Sequence, residues 1–284
     1  MASFYPMRNR DRLLAFLAWS VAALVLSSFL WLLSDMVRHG SAQLSWDFLI
    51  NETANAGRAG GIGPILVSTM IILTVAITVA APIGLATAIL LSEFVAKDNR
   101  IARLISISVD VLAGVPSIVF GLFGMAFFSI YLGFGFSILS GGLTLACMVL
   151  PILIRTVEEG LSAVPDEWRR GASALGMSRF AALRHILLPA AAPALAAGLM
   201  LGIGRAMAET AALIFTSGYV DRMPSSLHDS GRALAVHIYD LSMNVAGGDA
   251  NAYGSALVLV MMLIIINNIA LWLAQNLLHK KISP

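Results

Sequence analysis

Charged residues are scarce in this sequence. Only 12% of its 284 residues are Asp, Glu, Lys or Arg, whereas a soluble domain carries about 25%. Hydrophobic residues make up 58%, and the mean hydropathy is +0.85. A soluble globule of this size cannot bury so much apolar surface, so the composition excludes a soluble enzyme and a disordered chain. We therefore interpret the chain as an integral membrane protein.

Other absences exclude further classes. The only cysteine, Cys147, has no second cysteine for an internal disulfide and lies in an apolar run, which is typical of a buried thiol. The net charge of +2 gives no basis for nucleic-acid binding. None of the few lysines follows a GxxxxG loop, and the HExxH and CxxC motifs are lacking. We therefore expect no nucleotide, metal or other cofactor in this chain, and no catalytic residues.

Six apolar runs are long enough to cross a bilayer, which requires about 20 residues. Backbone groups in lipid must bond within their own segment, which favours helices. The third run contains one charged residue and the fifth contains two. The runs cover approximately residues 13–34, 64–91, 104–132, 136–154, 190–217 and 256–278. The sequence thus predicts an all-α membrane bundle of six transmembrane helices.

Lysine and arginine are unevenly distributed between the segments that join these runs. With the amino terminus placed in the cytoplasm, 13 of the 18 fall on the cytoplasmic side and 4 on the outer side. This bias predicts that both termini are cytoplasmic. The predicted organisation is a tail (1–12), a first helix (13–34), an outer loop (35–63), a membrane domain (64–280) with a long cytoplasmic loop (155–189), and a tail (281–284).

The long cytoplasmic loop is predicted to form two short helices. Pro165, followed by two acidic residues, is typical of a helix start. Trp168, Ala172 and Leu175 would then share one face, and Gly176 would end the helix in a left-handed conformation. Two interpretations remain open: an amphipathic linker on the membrane surface, or an element that docks into a groove of a soluble partner.

Two charges in the fifth run are candidates for a substrate path. Arg205 would lie about 22 Å along the helix, near the middle of the membrane, where a charge costs at least about 2.5–3.5 kcal/mol. Glu209 would share its face, four residues on. Either the two charges only pair with each other, or Arg205 contacts a tetrahedral oxyanion in an aqueous path and Glu209 orients it.

The third run contains a second group of candidates. Asp110 lies about ten ångströms from its cytoplasmic end, where it would pair with a basic residue of another helix or line the inner vestibule. Pro116 and Ser117 follow, and a proline in a helix frees a backbone carbonyl that a cavity or neighbour must satisfy. The alternative is a kink that serves packing alone.

The cytoplasmic loop also resembles a known motif, the EAA loop of ABC importer permeases, with the spacing EAA-x3-G-x9-I-x-L-P. The residues at the motif positions are Arg170, Gly171, Ala172, Gly176, Ile186, Leu188 and Pro189. Arg170 replaces glutamate and Gly171 replaces alanine, while the spacing matches throughout. In that family the loop is a coupling helix seated in a cleft of the ATPase subunit. The resemblance implies the same role here, including Trp168 and Leu175.

Two further segments make the resemblance more specific. GVPSIVFGLFG, around Pro116, and RAMAETAALIFT, from Arg205, look like segments of the permeases of phosphate ABC transporters of the PstA type. The resemblance covers about residues 60 to 280. It implies a type I importer fold in a bacterial inner membrane and a subunit that forms half of a phosphate pore.

The resemblance also implies partners. These are a second permease paralogue, two ATPase subunits that bind ATP and Mg²⁺ in this chain's place, an extracytoplasmic phosphate-binding protein and membrane lipid, with no nucleic acid. The alternatives are a permease for another oxyanion, such as molybdate or sulfate, and a stand-alone secondary transporter. The latter would show inverted repeats and protonatable residues in several spans.

Overall fold

The structure, a computed structural model, describes residues 9–95 and 99–282, and side chains within 11–95 and 99–272. Residues 1–8 and 283–284 of the two predicted tails lie outside the described residues. The helices are α1 (Asn9–Gly40), α2 (Trp46–Ile50), α3 (Gly63–Ile89), α4 (Arg100–Ala113), α5 (Ser117–Gly124), α6 (Ile138–Ser162), α7 (Asp166–Ala174), α8 (Arg179–Ala182), α9 (Leu188–Met207), α10 (Ala211–Ile214), α11 (Leu234–Met243) and α12 (Asp249–Ile282).

Shorter elements extend or join these helices. Three π-helical segments follow α3, α5 and α8 without a break, and two 3-10 turns and a two-stranded antiparallel hairpin lie between α1 and α3. The π-helical segments are Leu90–Phe94, Met125–Tyr131 and Leu183–Leu187; the 3-10 turns are Ser41–Gln43 and Asn55–Gly57; the strands are β1 (Thr53–Ala54) and β2 (Ala59–Gly60).

Within the described residues, five helices are long and apolar enough to cross a membrane, and the number is six when one bent pair of helices is counted as a single span. The continuous five are Asp11–Gln43, Gly63–Phe94, Ile138–Ser162, Arg179–Met207 and Asp249–Trp272. The all-α class and the six apolar segments are therefore confirmed. Several helices extend beyond the apolar runs, because polar residues continue a helix once it leaves the hydrocarbon core.

The third span is not the single helix that the sequence predicts. Arg100–Ala113 and Ser117–Tyr131 meet at an angle of 105°. Pro116 has an extended backbone, with φ −60° and ψ 143°, and forms the N-cap of α5. Proline lacks a backbone N–H and disfavours a helical conformation at the preceding residue, Val115, so the chain turns instead of kinking.

The fifth span also differs from its prediction. It begins at Arg179 rather than near residue 190, because α8, a π-helical segment and α9 are continuous. It ends at Met207 rather than near residue 217. Ala208 is the C-cap of α9, and the chain resumes helical structure only in α10. Arg205 therefore lies in α9, whereas Glu209 lies in the break that follows it.

The core is formed where α3, α6 and α9 pack together. Ala76 of α3 and Leu145 and Val149 of α6 are almost completely buried. Gly202 of α9 allows close approach, since a methyl group there would lie 2.6 Å from Cγ1 of Val149. Gly198, four residues earlier, faces Thr156 of α6. Small residues of this spacing let transmembrane helices pack closely.

A polar layer closes the outer end of the bundle. The side-chain amide of Asn251, in α12, donates to the carbonyl of Gly57 at 2.7 Å. His237 of α11 lies directly over Gly57, where an added methyl group would come within 2.8 Å of its ring. The two segments that were predicted as outer loops, before α3 and before α12, therefore pack on one face of the molecule.

Candidate functional site: the cytoplasmic loop and the helix breaks

The helix α7 lies at the cytoplasmic end of the membrane domain, between α6 and α8. Gly176, two residues after α7, has φ +71°, a left-handed conformation that glycine adopts without strain. The hydroxyl of Ser178 then accepts a hydrogen bond from the backbone N–H of Ala181 at 3.2 Å and caps α8. The structure thus has the first helix and the glycine turn that the sequence predicts, whereas the second helix is not a separate short helix, because α8 continues into the fifth span.

The apolar residues of α7 that were predicted to share one face differ in burial. Ala172 is 3% exposed, whereas Trp168 is 50% exposed and Leu175 is 81% exposed. Leu175 is the C-cap residue of α7. Phe180, at the start of α8, is also 64% exposed. Three large apolar side chains are therefore exposed around the glycine turn.

The other motif residues fall into two groups. Arg170 and Gly171 are exposed on α7, with no atom within 4 Å of a methyl group added at Gly171. Ile186, Leu188 and Pro189 do not belong to a loop, because the helix that forms the fifth span already includes them. Ile186 and Leu188 pack against a buried apolar cluster from α3, α6 and α9. The loop is thus shorter than the predicted 155–189.

Arg169 is the residue that the sequence analysis missed. Its Nη2 donates to Oε1 of Glu93 at 2.7 Å and to the carbonyl of Leu161 at 2.7 Å. Its Nη1 donates to the carbonyl of Val164 at 2.7 Å and contacts Asp166 at 3.1 Å. The hydrogen bonds from Arg169 to Glu93 raise the pKa of the guanidinium. Because 76 residues separate Arg169 from Glu93, no local sequence pattern signals their pairing.

Asp110 has the basic partner on another helix that the sequence analysis offered as one alternative. Nε of Arg155, in α6, donates to Oδ1 of Asp110 at 2.8 Å. The same guanidinium binds Glu158 at 2.7 Å and the carbonyl of Ser106 at 2.8 Å. This network fastens α4 to α6 on the cytoplasmic side of the bend, so α4 is held although Pro116 separates it from α5.

The helices that follow the breaks in the third and fifth spans, α5 and α10, pack on each other. Gly121 of α5 packs directly on α10, since a methyl group there would lie 2.9 Å from Cα of Ala212. Pro116 and Ser117 begin α5, and α10 follows the break after Arg205. The segments that follow the two interruptions therefore pack on each other, and irregular backbone in a membrane is tolerated only in contact with protein or a water-filled cavity.

Arg205 and Glu209 are not paired across this break. Among the described residues, no ion pair or hydrogen bond joins them, and the exposed Arg205 has no recorded hydrogen-bond or ion-pair partner. Glu209 is 8% exposed, and its Oε1 accepts a hydrogen bond from the backbone N–H of Ala212 at 3.3 Å. Glu209 thus caps α10, while Arg205 occupies the last turn of α9, where the helix dipole favours a cation.

These features define a multi-spanning helical membrane protein with a cytoplasmic loop helix and an interrupted core. Residues 80–283 match the family described as "Binding-protein-dependent transport system inner membrane component". The match covers more than half of the chain, so the chain belongs to this family of ABC importer permeases. It is accordingly a transporter subunit rather than an enzyme.

Individual relatives support this assignment. The chain is 29% identical to a probable ABC transporter permease of Bacillus subtilis, YqgI, over 92% of this chain and 94% of the relative. It is 36% identical to the phosphate transport system permease protein PstA 1 of Mycobacterium tuberculosis, over 74% of this chain and 69% of the relative. A solved bacterial alginate ABC transporter, in complex with its alginate-bound periplasmic protein, superposes with a TM-score of 0.64 at 12% identity, over 92% and 95% of the two chains.

Proposed function

We propose that this chain is the permease subunit of an ATP-driven phosphate importer in a bacterial inner membrane and forms half of its pore. The PstA name of the 36%-identical relative supports the substrate. The structural observation that carries the proposal is Arg205, a cation without a recorded partner in an apolar span beside a helix break. A bacterial importer of another oxyanion, molybdate or sulfate, would use the same chemistry.

The environment of Arg205 suits a transient anion contact. Arg205 lies in the last turn of the fifth span, Arg179–Met207, and not near its middle as the sequence predicts. A cation inside the hydrocarbon core costs at least about 2.5–3.5 kcal/mol unless water or an anion compensates it, and the cost falls towards the end of a span. Glu209 does not supply this compensation, because its carboxylate caps α10. A guanidinium presents a planar fork of donors that binds two oxygens of a tetrahedral oxyanion at once. Arg205 is therefore proposed to bind phosphate in the pore, with Glu209 holding the break in shape.

The exposed residues of the cytoplasmic loop support coupling to a separate ATPase. Trp168 and Leu175 present apolar surface to the cytoplasm, where exposed patches of this kind mark partner contacts. We propose that α7 seats in an ATPase subunit and that ATP binding moves it. The assembly would also hold a second permease paralogue and an extracytoplasmic phosphate-binding protein. ATP and Mg²⁺ would be bound by the ATPases.

The test is anion uptake by the complete complex in proteoliposomes. Arg205→Gln should lower phosphate uptake at least about a hundredfold, because a neutral amide replaces two charged hydrogen bonds at low dielectric. Arg205→Lys should also be poor, since it loses the fork. Arg222→Gln, which removes an exposed arginine of the outer loop, is the matched control and should transport normally.

The same assay separates the alternatives. If Arg205 only balances Glu209, the double variant Arg205→Gln with Glu209→Gln restores uptake, and the proposed anion contact is wrong. If wild-type complex imports sulfate or molybdate in preference to phosphate, the mechanism holds and the substrate is corrected. Membrane levels and ATPase co-purification are measured for every variant, so that loss of assembly is recognised.

A further inference from the structure

The ion pair between Glu93 and Arg169 joins the cytoplasmic loop to a helix of the membrane domain. Glu93 lies in the π-helical segment at the cytoplasmic end of α3, and Arg169 lies in the second turn of α7. The contact is two-pronged, with Nη2 to Oε1 at 2.7 Å and Nε to Oε2 at 3.2 Å. A guanidinium–carboxylate fork of this kind fixes direction as well as distance.

Burial distinguishes this pair from the other charges on α7. The side chain of Glu93 is 11% exposed and that of Arg169 is 25% exposed. Asp166, the second carboxylate that Arg169 contacts, is 82% exposed. Ion pairs in solvent are screened and weakly ordered, whereas a partly buried pair with extra hydrogen bonds keeps one geometry. The contact of Arg169 with Glu93 is therefore better ordered than its contact with Asp166.

Arg169 also holds the end of α6. The carbonyls of Leu161 and Val164 lie at or just after the last turn of α6, where helix carbonyls lack partners within the helix. Arg169 binds both, so one guanidinium ties the ends of α3 and α6 to α7. Within the described part of α7, Ala172 is the one buried residue, and apolar packing therefore contributes little to this attachment.

α3 is suited to carry a movement from this point into the bundle. It runs from its cytoplasmic end to the outer layer and packs closely along α6, with Gly84 against Leu153 and Val75 against Gly142. Pro82 removes a hydrogen bond inside α3, but these two contacts lie on either side of it and hold both parts of α3 against α6. A displacement applied at Glu93 would therefore reach the outer end of α3, near Val67.

We propose that the Glu93–Arg169 pair is the joint through which movement of α7 is transmitted to α3. This inference rests on the proposed docking of α7 to an ATPase. Glu93 and Arg169 are positioning residues, since neither is placed on the substrate path. The pair couples ATP hydrolysis to transport and is needed neither for hydrolysis nor for assembly.

The first test compares Glu93→Gln with wild type in the reconstituted complex. The amide keeps the size of the side chain but replaces one of the two acceptors with a donor that faces the guanidinium. ATPase co-purification and ATP hydrolysis should stay within about twofold of wild type, while uptake per ATP falls about tenfold, as expected when a charged hydrogen bond is lost. Glu93→Asp, which keeps the charge, should retain more uptake than Glu93→Gln.

Asp166→Asn is the matched control, because it removes the exposed carboxylate from the same arginine and leaves Glu93 in place. Its uptake per ATP should equal that of wild type. If hydrolysis and uptake fall in parallel in Glu93→Gln, or if uptake per ATP is unchanged, the proposed role of the Glu93–Arg169 pair is wrong.

A second measurement does not depend on the substrate. In a Cys147→Ser background, a fluorescent probe is attached to a cysteine at position 67, in α3, or at position 173, in α7. With ATP, both probes should respond in wild type, and only the α7 probe should respond in Glu93→Gln. If the α3 probe still responds in Glu93→Gln, the pair does not transmit the movement of α7 to α3. A wild-type complex that hydrolyses ATP, shows both responses and imports no phosphate instead contradicts the proposed substrate.

Discussion

Gly124 brings the end of α5 against α6 in the interior of the bundle. A methyl group there would lie 2.1 Å from Oγ1 of Thr144 and 2.9 Å from Cγ2 of Thr216, and both threonines are fully buried. We expect Gly124→Ala to destabilise the protein by about 1–3 kcal/mol, because a packed core cannot accommodate the added volume. The thermal midpoint in detergent measures this loss.

Gly171→Ala is the control for that variant, since nothing lies within 4 Å of the added methyl group and φ at Gly171 is not positive. Its midpoint should equal or exceed that of wild type. Equal midpoints for Gly124→Ala and wild type would show that α5 can shift away from α6 at little cost.

His237 of α11 makes the stability of the outer layer depend on pH. Burial, and then the charge of Arg232, lowers the pKa of His237 from its ordinary value of 6.5 to about 4. Well above pH 6.5 the ring is neutral in the folded and unfolded states, so the free energy of unfolding does not depend on its titration. Between pH 6.5 and 4 the unfolded state binds a proton that the folded state does not, so stability falls by up to about 3 kcal/mol.

Thermal midpoints between pH 7.5 and 4.5 would test this dependence. Wild type should lose stability over that interval, and His237→Gln should lose less, because its amide does not titrate. His228→Gln, which alters an exposed histidine of the same outer segment, should behave like wild type. An equal decline in wild type and His237→Gln would mean that the carboxylates near Arg232 carry the pH dependence.

At the scale of elements, the turn after α7 sets the orientation of the cytoplasmic loop. Gly176 has φ +71°, a conformation that costs an L-residue about 1–2 kcal/mol and that a β-branched residue resists most. We expect Gly176→Val to weaken ATPase docking and lower transport while the protein still reaches the membrane. Co-purification of the ATPase with the solubilised permease measures docking.

Gly176→Asn is the appropriate control, since asparagine tolerates the left-handed region and no atom lies within 4 Å of an added Cβ. It should dock and transport nearly as wild type does. Normal docking and transport by Gly176→Val would indicate that the loop is a linker rather than a coupling element.

Hydropathy predicts the helical spans well but not their breaks. Apolar composition is read over about 20 residues, so it identifies six segments and does not register a turn within one of them. Pro116 indicated an interruption of the helix, but a local pattern does not give the size of the bend, which is 105°. No proline marks the end of α9 at Met207. The helix stops there, and the buried Glu209 caps α10 in the segment that would otherwise have continued it.

Long-range contacts account for what sequence reasoning missed in the candidate site. The sequence indicated a charged partner for Asp110 but could not select Arg155, 45 residues away, because helix order in space is not encoded locally. Arg169 is next to the motif residue Arg170, yet its role depends on Glu93, which ends a different helix. Local signals did identify Gly176, since left-handed turns have a strong glycine preference.

The whole molecule carries the outer polar layer at one end and α7 at the other, and the side of the membrane on which each lies can be tested directly. The basic-residue bias predicts that the 3-10 turn at Asn55 is outside and that α7 is inside. In a Cys147→Ser background, a membrane-impermeant maleimide applied to intact cells should label a cysteine at position 55. It should label a cysteine at position 175 only after the membrane is opened. The reverse pattern would invert the topology, and the proposed ATPase contact would be on the wrong side.

The packing of α1 has a consequence for how the protein is made. The apolar stretch of α1 has no buried residues, and its outer end meets α12, where the Tyr253 hydroxyl bonds to Asp35 at 3.0 Å. About 200 residues separate the two helices, so at roughly 5–20 residues per second α1 waits some 10–40 s for its partner to emerge from the ribosome. During that interval it must remain in lipid alone, and a mean hydropathy of 2.3 enables it to do so.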